Sequence, residues 1–359
     1  MENKMASAVK GREERRNHYA EVTEKIIAAI EAGTPPWRRD WDRASAASIS
    51  GYALPCNAIS RRPYRGINRL VLGMDSRVVD SGDPRFLTFE QSRSNNWNVR
   101  RGEKSSMVFF YKTLELDEVD KSRGADEKRR IPFLRAIPVF HASQVIGIPD
   151  WSKSASIDPT WKSIDAVDVI SKNFGIQIDH HGEQAYYAAI RDRVVVPPKA
   201  AFSSAEGYSA TLLHELSHAS AHSSRLNRYE ALQNRFGDKM YSIEELRAEL
   251  SSAYICGTLG INSSLKNHSS YLSSWIEVLR SDHREIFRTA AEAQRIADYV
   301  LEKHPEYAKS AEAERQADME RATARDVGRD QLGTENTPVL PPAHLVASAA
   351  KTSSFELER

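Results

Sequence analysis

Two cysteines in 359 residues, Cys56 and Cys256, are too few and too far apart for a disulfide framework or a cysteine-based zinc site. They read as small buried residues of a reducing compartment. The chain also lacks any run of 18 apolar residues, so no segment spans a bilayer as a helix. The N-terminal stretch MENKMASAVKGREERRNHYAEV has no apolar core of the kind a secretory signal needs. Taken together, these absences predict a soluble cytoplasmic protein with no membrane partner, and they exclude a secreted disulfide scaffold.

Net charge is nearly absent too, at +1, but that figure hides an asymmetry. Residues 1–145 carry 26 Lys+Arg against 19 Asp+Glu, and the rest of the chain is correspondingly acidic. The length suits two domains better than one. Of the two halves, the basic one is suited to meeting a polyanion.

The local patterns give an α+β reading. A helix is expected over residues 11–33, with Ile26, Ile27 and Ile30 apolar and Gly33 followed by Pro35-Pro36 as its stop. A short helix should follow at Arg69–Met74. Thr88 has the position of an N-cap, with Gln91 completing a capping box. Met107–Tyr111 and Phe133–Phe140 read as strands on either side of a charged surface loop, Glu115–Arg130. The polar, Pro-flanked stretch Pro149–Pro159 reads as a linker. Beyond it come a helix at Ser163–Phe174, strands at Gln184–Ile190 and Arg193–Val196, and helices at Ala205–His222, Ile243–Leu259, Ser269–Arg280 and Arg284–Leu301. His180-His181 reads as surface loop. The layout is an N-terminal domain over 1–148, a linker over 149–160, a mainly helical domain over 161–307 and a charged tail over 308–359 that is expected to be disordered, Thr334–Arg359 included.

The sharpest chemical signal is Leu212-Leu213-His214-Glu215-Leu216-Ser217-His218. On a helix, residues four apart share a face, so His214 and His218 can hold one zinc ion. Glu215 lies beside them, within reach of a water that the metal polarises, and is placed to act as general base. A third ligand is expected from the helix that contains Glu244-Glu245-Leu246-Arg247-Ala248-Glu249. An inward carboxylate on an apolar helix is costly without a cation or metal. Glu249 is favoured, with Glu245 one turn earlier as the alternative. His268 and Tyr271 open the next helix and are candidates to donate to a developing oxyanion. Two histidines with one carboxylate suit Zn2+, with Mn2+ the second choice. The strand Arg193–Val196 is a candidate exposed edge that would align a peptide substrate.

The first half mixes cations with aromatics. Single-strand binding needs both, because cations follow phosphates and aromatic faces stack on bases. The candidates are Trp37, Arg38, Arg61, Tyr64, Arg65, Asn68, Arg100, Arg101 and Lys104.

Taken in order, the motifs resemble those of ArdC-like antirestriction proteins of plasmids and mobile elements, which share an N-terminal region with TraC-type plasmid primases. In the first half they are Pro35-Pro36-Trp37, Leu54-Pro55-Cys56-Asn57, Tyr64-Arg65-Gly66-Ile67-Asn68, Thr88-Phe89-Glu90-Gln91, Val99 to Lys104, and Val139-Phe140 with Gln144. In the second they are Asp192-Arg193-Val194, Tyr208 to His218, Ser224 to Arg228, Glu245 to Gly260, and His268 to Tyr271 with Trp275. His141 departs from the expected Asn, and Ser105-Ser106 from a Gly-like pair. The resemblance implies an N-terminal single-stranded-DNA-binding domain, a C-terminal zincin-like metallopeptidase domain with a possible protein substrate, and protection of incoming DNA against restriction. The competing reading is a single-stranded-DNA-binding protein whose metal site is structural or vestigial and cleaves nothing.

Overall fold

Helix α1, His18–Glu31, begins where Asn17 caps the Ala20 amide. It buries Val22, Ile26, Ile27 and Ile30 on one side. Its end is set by Gly33, whose φ of +72° suits glycine. The coordinates are a computed structural model describing residues 17–37, 54–117, 128–151, 159–228, 238–261 and 271–332. Residues 11–16 of the expected first helix, most of the expected linker and residues 333–359 of the expected tail lie outside them, while 308–332 of that tail are helical and not disordered.

After α1 come β1 (Cys56–Asn57), α2 (Ile67–Gly73), α3 (Ser76–Ser81), β2 (Arg85–Leu87), α4 (Phe89–Ser94), β3 (Asn98–Val99), β4 (Ser106–Asp117), β5 (Lys128–His141) and β6 (Val145–Ile146). One sheet runs β1-β2-β5-β4, with β1 parallel to β2 and the other pairs antiparallel; β3 and β6 pair separately. The capping box at Thr88 and Gln91 forms as expected. Of the charged stretch 115–130, expected as a loop, residues 115–117 and 128–130 are strand, and 118–127 lie outside the described residues. β4 and β5 stay in register to its edges, setting Glu115 opposite Arg130 and Asp117 opposite Lys128.

The second half contains α5 (Pro159–Phe174), β7 (Gln177–His180), β8 (Tyr186–Ala188), β9 (Arg193–Val196), α6 (Ala205–Ala219), α7 (Lys239–Leu259), α8 (Leu272–Ser281), α9 (Glu285–Leu301) and α10 (Pro305–Leu332). The three strands are ordered β7-β9-β8. Arg193–Val196 is therefore the central strand, with Val194, Val195 and Val196 buried, and not the edge that was expected. Its unbroken β-branched run is the mark of a strand covered on both faces. β8 takes an edge position instead. His180, expected in a loop, lies in β7 and its ring bonds the Tyr208 hydroxyl at 2.9 Å.

The chain divides into two units, Met1–Tyr307 and Ala308–Arg359. Within the first, one main core takes Val22, Ile26, Ile30, Trp37 and Phe109 from the N-terminal part and Leu213, Leu246, Trp275, Phe287 and Ile296 from the C-terminal part. Phe109 meets Phe287 edge-on at 5.6 Å, and Trp37 meets Trp275 at 6.0 Å. Among the described residues, no helix is long and apolar enough to cross a membrane.

Candidate metal centre

Ser204 caps α6 by accepting the Gly207 amide at 3.0 Å. From Ala210 the helix is buried almost without interruption, so polar groups on it must be satisfied by protein or by a ligand. His214 and His218 lie one turn apart with ring centroids 4.9 Å from each other. Against them packs α7, which brings Glu244, Glu245 and Glu249, all buried.

Each acid faces a different nitrogen. The Nε2 atoms of His214 and His218 lie 3.8 Å and 3.5 Å from the two carboxylate oxygens of Glu245. A ligand atom from each of these three residues falls within 4.8 Å of the others. Tetrahedral bonds of about 2.1 Å would hold ligand atoms roughly 3.4 Å apart, so the set fits a zinc-sized cation. Glu249, the favoured ligand from sequence, is instead 3.9 Å from Nδ1 of His214, on the far side of the ring. Glu244 takes the matching place on His218, 3.6 Å from Nδ1. The side chain that groups with His214 and His218 is thus that of Glu245, the alternative candidate, while Glu249 lies by the other nitrogen of His214. Two carboxylates behind two imidazoles is the usual outer shell of a metal site, where an acid orients the ring by accepting its other N–H.

The electrostatics agree. Burial would lower the His218 pKa, but Glu245, Glu244 and Glu215 around it bring it up to about 9, so the cluster favours a positive charge at this spot. Burial pushes the Glu215 carboxyl up to about 7, while His218 and the Tyr187 backbone amide on β8 pull against it. Glu244 is held below the ordinary range: burial alone would raise it, but His218, Arg228 and Arg247 outweigh burial.

Sequence reading missed Tyr241. It stands one helical turn before Glu245, its hydroxyl bonds that carboxylate, and burial with this contact raises its pKa. The Tyr241 hydroxyl is 3.4 Å from that of Tyr271, which precedes α8 and stacks on Trp275. An i, i+4 spacing from a ligand was the available signal. Tyr271 is thus at the site, whereas His268 lies outside the described residues.

Comparison with known proteins fits both parts. Residues 16–140 match the N-terminal domain of anti-restriction factor ArdC, and residues 165–292 match a zincin-like metallopeptidase family. A crystal structure of antirestriction protein ArdC from the R388 plasmid, metal-free, superposes with a TM-score of 0.64 at 33% identity, covering 81% of this chain and 99% of that one. The chain belongs to the ArdC antirestriction family. A second ArdC structure from R388, Mn(II)-bound, gives 0.63 at 34% identity over 80% and 98% of the two chains. Protein y4eC of Sinorhizobium fredii is 38% identical over 79% of this chain and 91% of its own length. A DNA primase TraC of Escherichia coli is 34% identical over 79% of this chain, but the match spans only 27% of that primase.

In this ArdC family member the residues chosen for DNA contact divide into two groups. Trp37 is buried in the main core, so its ring is not available for stacking. Asn68 is buried as well, and it clamps the Phe109 backbone through bonds of 2.8 Å and 2.6 Å. Arg65 pairs with Asp298 on α9, and the neighbouring Gly66 bonds Gln294 and Tyr254. That motif holds α2 to the helices of the C-terminal part. Tyr64 is half-buried against Phe86. Arg61 is exposed above the Trp151 ring, at 5.0 Å. Arg100, Arg101 and Lys104 share one exposed turn, where Arg100 is tied to Glu103 and the Ser143 carbonyl. Arg38 lies outside the described residues.

Proposed function

We propose that this ArdC family protein is a cytoplasmic antirestriction factor of plasmid or mobile DNA that binds single-stranded DNA and carries a zinc metallopeptidase site. The observation that carries the catalytic half is Glu215. A structural metal site needs ligands alone, whereas here a buried carboxylate with no ligand role lies next to the triad His214, His218 and Glu245. These three would hold Zn2+, or Mn2+ as named for the R388 relative. A bound divalent cation supplies Lewis acidity toward water and a peptide carbonyl.

The chain's own residues supply the rest. Glu215, with a pKa near 7, takes a proton from the attacking water and returns it to the leaving nitrogen. Its carboxyl is oriented by the Tyr187 amide, so the β8 edge fixes the base. Tyr271, beside Tyr241, donates to the developing oxyanion. β8 presents a strand edge along which an extended peptide pairs.

The test is Glu215→Gln in the full chain. The expected result is unchanged metal content and DNA binding, with loss of hydrolysis of an unfolded protein substrate and of protection during transfer into a restricting recipient. Full protection by the variant would favour the reading in which the metal site is structural and DNA binding alone protects.

A further inference from the structure

The turn after α6, Ser224 to Arg228, contains two arginines that the proposed chemistry does not use, and both are buried. Arg228 donates to Glu244 Oε2 at 2.7 Å and to Ser220 Oγ at 3.0 Å, and lies 3.3 Å from Glu292 of α9. The other oxygen of Glu244 faces Nδ1 of His218 at 3.6 Å. The result is a continuous chain from α9 through Arg228 and Glu244 to a metal ligand. Arg225 points the other way. It pairs with Asp192, bonds the Ala219 carbonyl at 2.7 Å and reaches the Tyr187 hydroxyl at 3.3 Å. Asp192 in turn accepts from that hydroxyl at 2.7 Å.

We infer that Arg228 is a positioning residue for the metal: it fixes the rotamer and charge of Glu244, which in turn fixes the His218 ring. Arg225 is its counterpart for the edge strand and does not act on the metal. Glu244 sits between two cations, Arg228 and Arg247 at 3.6 Å. Only Arg228 gives it a close, directed bond, and a guanidinium holds a carboxylate in a fixed geometry that a point charge does not. Without that bond, Glu244 would be a buried acid free to turn toward the metal or away from His218, and the ring would lose its orientation. The inference rests on the metal reading above.

The test is metal affinity of the full chain, measured for Zn2+ by competition with a chromogenic chelator, with melting temperature followed in parallel. Arg228→Met keeps the apolar stem and removes the bond, so it should weaken Zn2+ binding by about 10- to 100-fold. Glu244→Gln should weaken it comparably, and the double variant should lose little more than either alone, because both act through one chain. Arg228→Lys should recover part of the affinity. Arg225→Met should bind Zn2+ as the wild type does.

Affinity within twofold of wild type for a folded Arg228→Met would overturn the inference. So would an equal loss in Arg225→Met, since that would mark general loosening of the turn. A wild-type chain that binds no Zn2+ would instead overturn the metal reading on which the inference stands.

Discussion

His141 stands where the sequence resemblance led us to expect Asn, and the structure shows what its ring does there. The ring is fully buried. Its Nε2 lies 2.7 Å from the Asp83 carbonyl, which only accepts, so Nε2 carries the proton. Nδ1 is then the acceptor that caps the Ser143 amide at 3.1 Å. Burial holds the His141 pKa below its ordinary 6.5, against the opposing pull of Asp83. The native state thus resists a proton that the unfolded chain accepts, and the His141 contribution to stability rises with pH up to about 6.5. In urea melts at about pH 7.5 and 5.5, wild type should lose more stability on acidification than His141→Asn does. Equal losses would show that His141 is protonated in the fold without penalty. Nothing in the sequence announced this role, because a buried neutral histidine and a surface one have the same neighbours in a string.

At the scale of elements, most of the helices were legible, whereas α3, α10 and the short strands were not. The α6, α7 and α9 cores follow from periodicity over many residues, and the Thr88 cap from one dipolar exchange. β1, β2, β3 and β6 have two or three residues each, too few to show any period. The exchange of Glu245 for Glu249 has a related cause. Both lie on one face of α7, and only the depth at which that helix crosses α6 decides which meets Nε2 and which meets Nδ1. Similarly, the aromatic-basic composition of Tyr64 to Asn68 suited DNA, but composition does not say where a charge finds its partner. The Tyr254 hydroxyl gives this segment a bond of 3.0 Å to Gly66. Tyr254→Phe should therefore lower unfolding stability by about 1 kcal/mol, with metal content unchanged. A neutral result would mean that the bonds of Arg65, Asn68 and the Gly66 amide hold the segment without it.

For the whole molecule, the prediction concerns salt. If single-stranded DNA follows the exposed turn at Arg101 and Lys104, affinity must fall steeply with ionic strength through counterion release. Arg101→Glu and Lys104→Glu should each weaken binding and reduce the slope of log affinity against log salt by about one. Slopes identical to wild type would place the DNA elsewhere. Trp37→Leu, by contrast, perturbs a core residue, and any loss it causes should appear first in the melt. The charge asymmetry of the sequence drew attention to the basic half of the chain. It did not distinguish cations that face water from those spent on internal pairing.

The shared core also bears on how the chain can be divided. Phe109 on Phe287 and Trp37 on Trp275 mean that neither part buries its apolar face without the other. A chain cut between the two family segments would expose these apolar faces on both fragments. The match to a TraC primase likewise takes in both segments, in a stretch of 301 residues that makes up 27% of that primase.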